Sequence, residues 1–146
     1  MSATCSVYLF GYPHGQYGHV VKVGISNNVF ARLAAIQSHN PDVVIPHFSF
    51  DLPDRQMAYS IEQKFHRRFS HCGIRGEWFG MSEHRALFML SLEVLRSLSS
   101  RYSGDELRRM REWSGLLRAF AILDQRPDED HEQWNAEWTE LEEALG

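Results

Sequence analysis

KVGISNNVFARL, residues 22 to 33, joins the end of a strand to the start of a helix and carries two isolated cations across the joint. Val20, Val21, Val23 and Ile25 supply the β-branched side chains of a strand. Ser26, Asn27 and Asn28 follow as N-cap residues. Val29, Leu33 and Ile36 then fall at i, i+4 and i+7, the spacing of one buried helical face. The cations are Lys22, near the strand end, and Arg32, beside Leu33 on a helix otherwise built for burial. Propensity alone asks for neither.

Upstream, SVYLFGY (6–12) is a second strand-like run, separated from HVVKVGI (19–25) by PHGQYG, a Pro/Gly cluster of hairpin length, so the two runs should pair antiparallel. Downstream, Asn40-Pro41-Asp42 stops the helix. VIPHFSFDL (44–52) then alternates Phe48, Phe50 and Leu52 on one face, with Pro46 near its start, as expected of a strand at a sheet edge. Asp54 is the expected N-cap of a helix with Met57, Ile61, Phe65 and Phe69 in one stripe and Glu62 and His66, one turn apart, in another. CGIRGEWFG reads as a glycine-bounded connection, leading through Ser82 as N-cap to an apolar helix over about residues 83 to 98. This order predicts an α+β fold: a small three-stranded antiparallel sheet flanked by helices, followed by a C-terminal helical extension. The expected division is a domain over residues 1–102 and an acidic extension over 103–146, with helices near 105–123 and 129–145. Leu107, Met110, Leu117 and Phe120 line the first of these helices, and Trp134, Trp138, Leu141 and Leu145 the second, which needs a surface to bury its tryptophans.

The 146 residues are 43% hydrophobic, but the longest apolar runs, such as Ala86 to Leu90, are far too short for a membrane span. The N-terminus has no basic residue ahead of an apolar stretch, and Cys5 and Cys72 are too few for a disulfide framework. A cytoplasmic protein with reduced, structural cysteines is the expectation. Charge divides the chain: residues 1–90 hold eight Lys/Arg against six Asp/Glu, while residues 91–146 hold seven against thirteen. A mildly basic front and an acidic rear suggest two surfaces with different partners, or simply a solvated acidic helix.

Tyr8, Lys22, Arg32, Glu62 and His66 are the polar residues these patterns leave over. Tyr8 and Lys22, on adjacent strands, can share one face of the hairpin. A phenol, an ammonium, a guanidinium, a carboxylate and an imidazole on one groove make a set suited to phosphate chemistry: Arg grips phosphate oxygens, Glu holds a hard divalent cation, and Tyr, Lys or His manages a proton. Taken singly, each has a structural reading: a strand tyrosine, a strand-end lysine, an Arg32–Glu62 ion pair, a surface histidine.

At these residues the sequence resembles the GIY-YIG nuclease superfamily. Val7-Tyr8-Leu9 is similar to its first motif, Lys22-Val23-Gly24 to its second, Arg32 stands at a similar spacing, and Glu62 matches the metal-binding glutamate; the resemblance spans about residues 6 to 90. Ser6 replaces the first glycine, Lys22 the second tyrosine, and Gly76-Glu77-Trp78-Phe79 occupies the place of a late asparagine, as in a divergent branch common in phages and bacteria. The resemblance implies an endonuclease that hydrolyses DNA phosphodiesters. Glu62 would hold one Mg2+ or Mn2+, and Arg32 would stabilise the transition state. Tyr8 would take the proton of the attacking water, provided that Lys22 or Arg32 lowers its pKa, with His66 as the alternative carrier. Gly24 would let the backbone bend where the strand leaves the groove, and Glu77, Trp78 and Phe79 would be structural. DNA is the expected partner, with a homodimer or protein partner for the C-terminal helices, which could also lie over the groove as a DNA mimic. The competing reading is a catalytically inactive nucleic-acid-binding or protein-interaction module on the same fold.

Overall fold

The computed structural model describes residues 4–13 and 19–99, together with Ala136, Thr139, Glu140 and Glu143. The helices expected near 105–123 and 129–145, with Trp134, Trp138 and the roles assigned to the acidic extension, lie outside the described residues. The chain divides into two compact units, Met1–Leu87 and Phe88–Gly146. In the first, β1 (Cys5–Gly11) and β2 (Val20–Ser26) form the antiparallel pair, with Tyr8 opposite Gly24 and Phe10 opposite Lys22. Helix α1 (Val29–Ser38) starts at Asn28, whose side chain accepts from the Ala31 N–H. Strand β3 (Ile45–Leu52) pairs antiparallel with β1 along its far edge, and Pro46, which has no N–H to donate, sits near its start opposite Phe10, where the register shifts. Helix α2 (Arg55–Arg68) is capped by Asp54, which accepts from Met57 N–H at 2.8 Å.

The three-strand expectation falls short by two. The Gly-bounded connection contains β4 (Gly73–Arg75) and β5 (Trp78–Gly80), which extend the sheet to the order β3-β1-β2-β5-β4, antiparallel throughout. They are joined through Gly76 at φ 56°, a left-handed conformation that disfavours a side chain. Three-residue strands are too short to carry an alternation that sequence reading can recognise. Helix α3 (Glu83–Ser99) follows, its Ser82 cap accepting from Arg85 N–H at 3.2 Å.

Both faces of the sheet are covered, and β1 is accordingly buried along its whole length. On one face Tyr8, Phe10 and Val44 pack with Tyr12 and with Val29, Leu33 and Ile36 of α1. That helix rests on the sheet by a half-buried stripe and has no fully buried residue, so it lies at the surface rather than in the core and leaves Arg32 exposed. Strand alternation puts Val21, Val23 and Phe79 on the other face, where Phe65 of α2 meets Phe79 edge-on at 5.5 Å between ring centroids. Ala58, rather than the half-buried Met57, completes the inward stripe with Ile61 and Phe65. In the second unit, Arg96 pairs with Glu93 at 3.3 Å and with Glu140 at 3.4 Å.

Candidate functional site

β5 ends its pairing with β2 at Lys22, so among the described residues no strand flanks the second half of β2 on that side. The Val23 peptide is closed there by two other groups. Its N–H donates to the Glu77 carbonyl at 3.1 Å, and its carbonyl accepts from His66 Nε2 at 2.9 Å. A carbonyl only accepts, so His66 carries a proton on Nε2, and its Nδ1 is the acceptor when the ring is neutral. Phe79, 5.0 Å from the imidazole centroid, holds the ring edge-on.

Around this point the face of β1 and β2 that carries Tyr8 and Lys22 assembles a polar chain. Arg32 Nε donates to Tyr8 Oη at 3.3 Å, Tyr8 Oη donates to Glu77 Oε2 at 3.3 Å, and Lys22 Nζ stands 3.2 Å from that same oxygen. Lys22 also lies 5.3 Å above the centroid of Trp78, which stacks on Tyr12 at 5.5 Å. Phe10, stacked on Tyr8 at 4.1 Å, fixes the phenol from the side. Gly24 is explained by space and not by backbone bending. A Cβ there would come within 2.3 Å of Tyr8 Oη and 2.8 Å of Glu77 Oε2, and its φ is not in the left-handed region.

Lys22, Arg32, Ile36, His39, Asn40 and Trp78 line an open groove of about 380 Å³ between α1 and the β2–β5 pair. A guanidinium and an ammonium on its floor suit it to an anion. Five of the residues expected in the site are thereby placed. Arg32 bonds directly to Tyr8 and Lys22 is joined to them through Glu77, whereas His66 reaches the Val23 carbonyl from α2 on the opposite face and Glu62 lies buried on that helix. Glu77, expected to be structural, is the residue that links Tyr8 to Lys22. Its signal was weak: an acid in a glycine turn just before an aromatic strand.

The electrostatics reverse one expectation. Burial pushes the Tyr8 phenol up to about 12, and Glu77 adds to the rise; the Arg32 hydrogen bond works against it without overcoming it. Tyr8 is a neutral hydrogen-bond donor at neutral pH, and the neighbouring cations do not turn it into a tyrosinate. Its hydrogen bond in turn holds the Arg32 guanidinium above its ordinary value.

Glu62 is buried, and its Oε1 accepts from Gln63 Nε2 at 3.2 Å. Desolvation raises its pKa, outweighing the help of Gln63, His66 and Arg55, while the Glu77 charge opposes it further. No group of three or more His, Cys, Asp or Glu among the described residues makes a ready metal cage. Glu62 fits a hard divalent cation in a narrower way: its under-compensated charge would be relieved by one, and water and phosphate oxygens would fill the remaining positions.

No helix among the described residues is long and apolar enough to cross a membrane. Residues 6–103 match the T5orf172 domain, a nuclease-related domain. Neither a curated protein nor a solved structure matches the chain.

Proposed function

The chain belongs to the T5orf172 domain family, and on that premise we propose that it is a metal-dependent DNA endonuclease that hydrolyses phosphodiester bonds at a GIY-YIG-type site. One observation carries the reading: Arg32 and Lys22 line one open groove, with the buried Tyr8 bonded to Arg32 behind it and His66 reaching the Val23 carbonyl from the opposite face. Arg32, exposed and anchored through Nε to Tyr8, keeps its terminal nitrogens for the non-bridging oxygens of the scissile phosphate and stabilises the charge that grows on them. Lys22 adds a second positive charge on the groove floor. Trp78, with Tyr12 stacked on it, walls the groove beside it. His66, with its Nε2 proton committed to Val23, offers Nδ1 as an acceptor.

Glu62 is the residue to hold Mg2+ or Mn2+, which when bound supplies a positive charge for the leaving oxygen. One carboxylate is a thin site, so cation affinity should be weak without DNA. With a front half only mildly basic, non-specific DNA affinity should be low as well.

The test is cleavage of supercoiled plasmid and of a branched DNA by the purified protein with Mg2+ or Mn2+, beside Arg32→Ala and Glu62→Ala. Metal-dependent cutting that vanishes in both variants supports the assignment; cutting that survives both removes it. A second reading, a non-catalytic DNA-binding module, has one observation in its favour, the neutralisation of Lys22 by Glu77. DNA binding with no cutting under either metal would favour it.

A further inference from the structure

Helix α1 stands between two hollows on one face of the sheet. On the β5 side lies the groove that Arg32 and Lys22 line. On the β3 side lies a larger cavity of about 540 Å³, within the range of about 300–1,000 Å³ usual for small-molecule sites. The helix walls both: Arg32 and Ile36 face the groove, and Val29, Phe30 and Leu33 face the cavity. Between them its crest carries only Ala31, Ala34, Ala35 and Ser38, all exposed. No residue of α1 is acidic, so the helix itself does not repel a nucleic-acid strand laid across it.

Phe30 stands at the rim of the cavity and is 86% exposed, more than any other large apolar side chain among the described residues, and no ring among them stacks on it. The fold does not use it, because Val29, Leu33 and Ile36 make the contact of α1 with the sheet. Below the ring, Leu33 and Pro46 give apolar walls, and Asn27, Ser49 and Asp51 give polar ones. Asp51 is the one charged residue that lines the cavity among those described. Its Oδ1 accepts from Ser6 Oγ, and the carboxylate has further acceptor sites to offer. The cavity thus presents an apolar ring and a carboxylate to its occupant. That pair repels a phosphate and suits a flat heteroaromatic ring that carries an amino group.

We infer that the cavity receives a nucleobase held out of the DNA stack, with Phe30 stacked on its face, while Arg32 grips a phosphate of the same strand across the crest of α1. The inference rests on the nuclease reading above and gives it a substrate class: DNA with an unpaired base close to the scissile phosphate. The dimensions agree. An α-helix with its side chains is about 10–12 Å across, so a strand that crosses from Arg32 to Phe30 advances about three steps of 3.4 Å. Taking a base out of intact duplex breaks its stacking and its pairing, whereas a bulged or mismatched base is already loose, so the site selects the second. Stacking on a phenyl ring tolerates any base. Asp51 adds a preference for adenine, cytosine or guanine, whose amino groups can donate to it. Phe30 binds substrate in this arrangement and takes no part in the chemistry.

The exposure of Phe30 makes the test clean, since its removal leaves no hole in the core. Binding of the full chain is measured by fluorescence anisotropy at low salt, without divalent metal, so that nothing is cut. The probes are three labelled duplexes of one sequence: fully paired, with a single bulged adenine, and with the same bulge made abasic. Wild type should bind the bulged adenine at least about tenfold more tightly than either of the others. Phe30→Ala should lose about 10-fold to 100-fold in affinity for the bulged adenine alone, with its thermal midpoint unmoved. Phe30→Trp should keep the preference, and the bulged adenine should quench its tryptophan fluorescence beyond the quenching seen in wild type. Arg32→Ala should weaken all three duplexes alike, because the contact it removes is to phosphate.

Equal wild-type affinity for the three duplexes, or a preference that survives Phe30→Ala, overturns the base site and leaves the nuclease reading to its own cleavage test. A wild-type dimer that Phe30→Ala dissolves on size-exclusion chromatography gives the rim to a second copy of the chain and overturns the base site too. So does a failure to bind any of the duplexes, and the nuclease reading falls with it only if plasmid cleavage is absent as well.

Discussion

The two edges of the sheet are built from opposite materials. At one edge, β3 is eight residues long and pairs along the length of β1, from Cys5 opposite Leu52 to Gly11 opposite Ile45. At the other, β4 and β5 are three residues each, and β5 stops at Lys22, so that the peptide of Val23 is completed by a turn carbonyl and an imidazole instead of a strand. The long edge closes the sheet and contributes apolar rings, Phe48 and Phe50 stacked at 6.4 Å. The short edge collects Glu77, His66, Lys22 and Trp78. Backbone groups that a ladder would have satisfied must be satisfied by side chains and turns where the ladder stops. That requirement brings polar residues from α2 and from the β4–β5 turn to one point.

If this division is right, substitutions at the two edges should fail in different ways. The largest effect belongs to the short edge. Arg32→Ala should lower DNA cleavage by about 10²–10³-fold or more, the loss typical of one preorganised donor, while moving the thermal midpoint by no more than an ordinary surface change. A large drop in stability in that variant would mean that the guanidinium is structural. Next comes the long edge. Leu52→Ala empties a fully buried site and should cost about 2–5 kcal/mol in denaturant unfolding, with the cleavage rate of the remaining folded protein unchanged. Loss of rate without loss of stability there would break the comparison.

Gly24→Ala should fall between the edges in character. Its added methyl collides with Tyr8 Oη, and the ring cannot swing freely because Phe10 is stacked against it. A cost of about 1–3 kcal/mol is expected from overpacking, together with a fall in cleavage as Tyr8 and Glu77 are pushed apart. An unfolding curve and a rate from one preparation check both.

The same contrast governs what could be read beforehand. β3 announced itself through Phe48, Phe50 and Leu52, and the helix starts through Asn28, Asp54 and Ser82, because alternation and capping are local properties that a short window contains. β4 and β5 are too short to alternate. Their pairing is set by the register that places Trp78 opposite Lys22, a relation over distant sequence. Glu77 reads as scaffolding for the same reason: its partner Tyr8 is 69 positions away. The burial of Tyr8 has a signal in the sequence. SVYLFG is apolar at nearly every position rather than at alternate ones, the mark of a strand covered on both faces, and burial on both faces is what keeps its phenol protonated. The Arg32 and Lys22 assignments came from what propensity left unexplained, and both side chains do line the groove.

The smallest effect, and the one with the least expected sign, concerns Glu62. Burial raises its pKa above the ordinary 4.5, so the folded state holds a proton at Glu62 more tightly than the unfolded chain does. Whatever stability follows from that is fully present below about pH 4.5 and is lost as pH rises through the folded-state value, because the unfolded chain ionises first. At pH 7 the ionised carboxylate is therefore a cost to the fold. Glu62→Gln should abolish cleavage and yet raise the thermal midpoint slightly at pH 7, with the difference from wild type shrinking toward pH 4. Mg2+ should narrow the gap as well, since a cation at the carboxylate offsets the charge that burial exposes. A variant less stable than wild type at pH 7 would mean that Glu62 serves the fold as an ion-pair partner, and the short edge would lose the carboxylate on which the metal reading depends.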